Sequence, residues 1–119
     1  MIPITEYDSE RKILTALLQG EIDHHCAGEI RRCIDIAIDK YSPELLALDF
    51  SGVTFMDSSG IGLVMGRYKL MKETGGETIV LNPRDDIRKL MELASLGRLT
   101  KIAYTAHSAA KASSGRKVP

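Results

Sequence analysis

The sequence predicts a single α/β domain, a mixed and mainly parallel sheet that opens with an N-terminal β-hairpin and continues as alternating helices and strands. Three observations predict it. Two strand-like segments separated by a short polar turn open the chain. After them, segments with helical spacing alternate with short apolar runs, the pattern of parallel strands joined by right-handed crossovers. The length of 119 residues fits one domain, and a chain of that size can bury a core without disulfides or metals. The domain is expected to occupy residues 1–112, with 113–119 a disordered tail.

Ile2 to Asp8 reads as the first strand, with Pro3 marking an edge because proline cannot donate a ladder hydrogen bond. Asp8-Ser9-Glu10-Arg11 is the turn, and Lys12 to Ile22 is the second strand, paired back as an antiparallel hairpin. Cys26 to Tyr41 is an amphipathic helix whose apolar stripe is Ile30, Cys33, Ile34, Ala37, Ile38 and Tyr41. Ser42-Pro43 ends it, since proline disfavours a helical residue before it. The apolar run Leu45 to Phe50 suits a central parallel strand. Ser51-Gly52 then interrupts, and Val53 to Met56 forms a short apolar segment.

A helix is expected from Ser59 to Thr74, stopped by Gly75-Gly76, with Thr78 to Leu81 the next strand. Asn82-Pro83-Arg84-Asp85 reads as a helix start, with Asn82 capping and Pro83 at the first helical position. Ile87, Leu90, Met91 and Ala94 form that helix's buried stripe, and Gly97 ends it. Leu99 to Tyr104 is the last strand, followed by a short helix over Ala106 to Ala112.

Charge excludes some functions. Sixteen basic and 16 acidic residues cancel, and no basic stripe with interleaved aromatics offers itself to phosphates, so no nucleic-acid partner is expected. The first residues carry no signal-peptide pattern, and no apolar run approaches the roughly 20 residues that span a bilayer. The expected place is the cytoplasm, with no membrane partner. Cys26 and Cys33 would lie about 10 Å apart along one helix, too far for a disulfide.

The segment Met56-Asp57-Ser58-Ser59-Gly60-Ile61-Gly62 carries the chemistry. A helix start has unpaired N–H groups and the positive end of the helix dipole, so it stabilises an anion such as phosphate. Asp57 or Ser58 can cap it. Gly60, Gly62 and Gly66 leave the helix short of side chains, at about 1 kcal/mol for each mid-helix glycine. Taken alone, such a segment reads most simply as a cap with glycines that allow tight packing. It lacks the lysine of a P-loop, the dinucleotide glycine spacing and the Gly-x-Ser-x-Gly of an esterase elbow. A small nucleotide- or phosphate-binding enzyme would use the Gly60-Ile61-Gly62 loop, but no set of acid–base groups accompanies it.

Three segments resemble the anti-sigma factor antagonist family, within the larger STAS domain group. They are Gly20-Glu21-Ile22-Asp23-His24-His25, Phe55 through Gly62, and Met65-Gly66-Arg67-Tyr68-Lys69. The likeness spans roughly residues 5 to 105 and is nearest to the sporulation, sigma-F branch; a stress-response antagonist is the alternative within the family. The resemblance implies a binding protein, not an enzyme, with Ser58 as phosphoacceptor. It implies two partners: an anti-sigma factor that is itself the serine kinase and brings ATP, and a serine phosphatase acting on phospho-Ser58. No cofactor of the chain's own is implied. The unphosphorylated form would bind the anti-sigma factor and release the sigma factor; phosphate would end that binding.

The surface assigned to the partner is Asp23, His24, Asp57, Ser59, Gly60, Ile61 and Gly62. Asp23 can equally cap the helix that follows it, and both roles can hold. His24-His25-Cys26 lacks further ligands at metal-site spacing, so no metal is expected. Arg67, Tyr68 and Lys69 read as a solvent-facing or partly packed stretch that flanks the binding surface by resemblance.

Overall fold

A computed structural model describes residues 2–105. The expected final helix over 106–112 and the tail 113–119 lie outside the described residues. The elements run β1 (Ile4–Asp8), β2 (Ile13–Ile22), α1 (Ala27–Tyr41), β3 (Leu45–Met56), α2 (Ser58–Glu73), β4 (Glu77–Leu81), α3 (Asp85–Leu93), a 3-10 turn (Leu96–Arg98) and β5 (Lys101–Ala103). The strands lie in the order β1-β2-β3-β4-β5. β1 is antiparallel to β2 and every other pair is parallel, the expected mixed α/β sheet.

The hairpin is closed by local chemistry. Asp8 Oδ1 accepts the N–H groups of Glu10 and Arg11, and the Lys12 N–H donates to the Asp8 carbonyl at 2.7 Å with Lys12 at φ 60°. From β2 onward each crossover advances one strand in the same direction. Right-handed crossovers of that kind put their helices on one face. Accordingly Leu14, Leu46, Leu48 and Val80 from the sheet share one core with Ile34 of α1, Val64 of α2 and Met91 of α3. Ser42 ends α1 in the left-handed region, φ 47°, just before Pro43, and Gly75 at φ 81° turns the chain after α2.

Several boundaries differ from expectation. Ser51-Gly52 does not break β3, which runs through it for 12 residues. β2 absorbs the irregularity with register shifts between Leu17 and Gln19 and between Gly20 and Glu21. A Cβ at Gly52 would stand 3.1 Å from the Leu18 carbonyl, so the glycine serves close strand approach.

Asn82 does not cap α3, which begins at Asp85. Buried at φ 61°, Asn82 instead ties three strand ends together. Its N–H donates to the Ala103 carbonyl at 2.8 Å, its Oδ1 accepts the Thr105 N–H at 2.8 Å, and its Nδ2 reaches Asp49 Oδ1 at 3.4 Å. At the other end α3 stops at Leu93, before Gly97, and Ser95 at φ 59° reverses the chain; Ala94 is exposed there. β5 shortens to three residues.

Asn82→Ala removes these side-chain bonds and leaves a left-handed alanine. A loss of about 1–3 kcal/mol in unfolding free energy is expected, read from urea denaturation. An unchanged midpoint would show that the strand ends do not depend on this amide.

Candidate functional site

The site is built where β3 hands over to α2. Met56 ends the strand inside the core, 5% exposed. Asp57 follows in an extended conformation, and its N–H donates to the Ile22 carbonyl at 3.2 Å, fixing the turn to the end of β2. Of the two candidate caps, Asp57 is the one used: its Oδ1 accepts the Ser59 N–H at 2.8 Å. Ser58 is the first helical residue, one position earlier than expected, and it is exposed; Ser59 is half-buried. The Ser58 side chain therefore stands in solvent at the positive end of a 16-residue helix.

The glycines divide by role. Gly60 is buried, and a Cβ on it would overlap the Met56 side chain, so its smallness lets α2 sit on the end of β3. Ile61, 8% exposed, belongs to the core and offers no side chain to a partner. Gly62 is exposed, with open space where its Cβ would be. It lines a groove between α1 and α2 of about 230 Å³, together with Gly28, Arg31, Ser59, Gly66 and Arg67.

A second loop meets this turn. Asp23 Oδ1 accepts the N–H groups of His25 at 2.9 Å and Cys26 at 3.3 Å, while its carbonyl accepts that of Ala27 at 2.9 Å. Asp23 thus closes the turn that leads into α1, whose N-cap residue is Cys26 with no side-chain cap bond, and the bond from the His25 N–H holds the Asp23 carboxyl below the usual carboxylate value. His24 Nδ1 lies 3.9 Å from Asp57 Oδ2, and the rings of His24 and His25 are 4.0 Å apart. Asp23, His24, Asp57, Ser58 and Ser59 are brought together; Gly60 and Ile61 support them from beneath. Among the described residues, no group of three or more His, Cys, Asp or Glu side chains is placed to hold a metal ion.

Arg67 is not a solvent-facing residue. It is 7% exposed, and its Nε lies 2.8 Å from Asp35 Oδ1, linking α2 to α1. Burial pushes the guanidinium pKa down and Asp35 pushes it back up. Tyr68 is half-buried and Lys69 exposed.

Phe55 was hidden within an apolar run. It is 49% exposed, because β4 pairs only with Leu45 to Asp49 and leaves the last residues of β3 uncovered on that side. Its signal was the large aromatic two residues before Asp57.

The family model described as STAS domain matches residues 6–109. The anti-sigma F factor antagonist of Lysinibacillus sphaericus is 39% identical over 87 residues, 73% of this chain and 74% of the relative. That of Paenibacillus polymyxa is 35% identical over 97 residues, 82% and 83% of the two chains. The unphosphorylated form of the anti-sigma factor antagonist SpoIIAA superimposes with a TM-score of 0.75 at 34% identity, covering 98% of this chain and 99% of that one. The Bacillus cell fate determinant SpoIIAA in its phosphorylated form gives a TM-score of 0.68 at 34% identity, over 93% and 98% of the chains. No helix among the described residues is long and apolar enough to cross a membrane.

The two glycines of the turn separate in a stability experiment. Gly60→Ala must displace Met56 and is expected to cost about 1–3 kcal/mol. Gly62→Ala, in open space within a helix, is expected to gain about 0.5–1 kcal/mol. Denaturant unfolding of both variants checks this; equal effects would contradict the division of roles.

Proposed function

The chain belongs to the STAS domain family, and we propose that it is an anti-sigma factor antagonist whose grip on its anti-sigma factor is switched off by a phosphate on Ser58. The observation that carries this is the exposed Ser58 at the first position of α2, on a turn fixed by Asp57. Relatives 35% and 39% identical that are named anti-sigma F factor antagonists support the sigma-F, sporulation assignment over a stress-response one. A neighbour with both an unphosphorylated and a phosphorylated form supports the switch.

In this reading the unphosphorylated protein binds the anti-sigma factor in the cytoplasm and frees the sigma factor for transcription. Its contact surface is the Ser58 turn with Asp57 and Ser59, the Asp23-His24 loop, exposed Phe55, and the bare backbone at Gly62. The anti-sigma factor acts as the serine kinase. Ser58 Oγ attacks the γ-phosphorus of its ATP, a kinase base takes the hydroxyl proton, and ADP leaves. A phosphatase later returns Ser58 by hydrolysis. The chain itself supplies the acceptor and the docking surface; it needs no cofactor and is not an enzyme.

The switch follows from local electrostatics. Phosphate adds about −1.5 to −2 charges. Helix N–H groups and the dipole of α2 accommodate them, so the fold has no reason to rearrange. A partner seated over the turn must instead strip the phosphate of water beside the Asp57 carboxylate, which is costly without cations of its own.

Calorimetric titration against an anti-sigma F factor tests the proposal. Wild type is expected to bind and to lose affinity more than about tenfold, 1.4 kcal/mol, once phosphorylated; Ser58→Ala should bind and stay bound when ATP is added. Amide NMR shifts on phosphorylation should be confined to the turn and the Asp23 loop. Undiminished affinity, or shifts spread through the sheet and α3, would contradict it.

A further inference from the structure

The contact between α1 and α2 holds more positive charge than its surroundings answer. The Arg67 side chain is 8% exposed, and its Nε pairs with Asp35 Oδ1 at 2.8 Å. Its Nη1 is buried and has no hydrogen-bond partner. Burial is the main cause that lowers the Arg67 pKa; Asp35 opposes it, and the charge of nearby Arg31 lowers it further. A buried donor without a partner is costly, and a second cation beside it adds to the cost.

Both arginines line the groove of about 230 Å³ between the helices. Among its described lining residues there is no carboxylate. Ser59 stands at the end nearest the Ser58 turn, and Gly28, Gly62 and Gly66 each leave open space where a Cβ would be. The groove is therefore a cleft of one charge sign, open to solvent and bare of side chains on both helices.

We infer that an aspartate or glutamate side chain of the anti-sigma factor enters this groove and pairs with Arg31 and Arg67 beside Ser59. The inference rests on the proposed function and adds the chemistry of the partner. A partner seated over Ser58 and Gly62 covers the groove, because Ser59 and Gly62 belong to its wall. The unanswered charge calls for an anion. A cleft of about 230 Å³ is smaller than the roughly 300–1,000 Å³ of small-molecule pockets, which suits one side chain rather than a nucleotide.

Arg31 is exposed, and its planar fork matches a carboxylate through two parallel N–H···O bonds. A free anion held by an exposed arginine in water is gripped weakly. A carboxylate carried by a docked partner is brought in by the contacts around it and shielded by them. The three glycines let the partner's backbone come close enough for so short a side chain to reach.

Calorimetric titration of the unphosphorylated chain against an anti-sigma F factor tests this. Arg31→Glu should lose at least about tenfold in affinity, and Arg31→Lys, which keeps the charge without the fork, should lose less. Arg32→Glu makes the same change in net charge one residue away; Arg32 is absent from this groove and lines the neighbouring depression. It should lose less than about threefold. Both positions are exposed, so unchanged thermal melting is expected. Exchanging the acidic residues of the anti-sigma factor for Asn or Gln, one at a time, should find a position whose loss is not additive with that of Arg31→Gln.

Equal losses at positions 31 and 32 would mean general electrostatic steering and overturn the inference, as would additivity at every acidic position. Inorganic phosphate that shifts the amide signals of Gly28, Gly62 and Gly66 in the free chain, with no coupled acid in the partner, would give the groove to a free anion and overturn it. Wild type that binds while Arg31→Glu binds equally well removes this inference alone. Wild type that does not bind the anti-sigma factor removes the proposed function and the inference with it.

Discussion

Helix α2 must begin at the point where β3 ends, with Met56 still in the core, and the site depends on that constraint. Strand and helix can meet so closely only because Gly60 offers no side chain to Met56. Asp57 has one residue in which to leave the strand, and it spends its N–H on Ile22 and its carboxylate on Ser59. With both neighbours fixed, the next side chain has nowhere to go but solvent, and that side chain is Ser58. The Ser58 hydroxyl is placed by backbone geometry rather than by a pocket around it. This suits the proposed function, in which Ser58 enters another protein's active site.

The second constraint lies about two and a half turns along α2 from Ser58. Arg67 is buried against Asp35, and such a pair carries a large desolvation cost, so it is weak evidence for stability and better read as a register pin between helices. By holding α2 to α1 it holds the start of one helix to the start of the other. Asp23 closes the turn before α1, and His24 reaches Asp57. The surface around Ser58 therefore joins two loops far apart in sequence, tied together at Ile22, at His24 and through the helix pair.

Most of the fold was legible because its signals are local. The hairpin, the alternation of helices and strands, and the glycine stop after α2 all follow from short-range spacing and turn chemistry. What was not legible depends on tertiary partners. Asn82-Pro83 carries the letters of a helix cap, and only the proximity of β5 and Asp49 turns its amide outward to other strands. Ser51-Gly52 looks like a break until β2 shifts register beside it.

Within the site, Ser58 and Asp57 were readable from the motif, but its glycines and Ile61 were pooled into one surface. The buried stripe of α2, Gly60, Val64, Arg67 and Met71, has helical spacing and would have placed Gly60 and Arg67 inside. The charge on Arg67 and the glycine at position 60 hide that stripe from a reading by apolar letters alone.

The central claim is that this turn presents one serine and withholds its neighbour. Ser58 is exposed, whereas Ser59 is half-buried beside the α1–α2 groove with its N–H held by Asp57. The most direct measurement is phosphosite mapping by fragment-ion mass spectrometry after the chain is incubated with an anti-sigma F factor and ATP. The account predicts a single phosphate on Ser58. Phosphate on Ser59, or none taken up by a chain that binds the kinase, would contradict it.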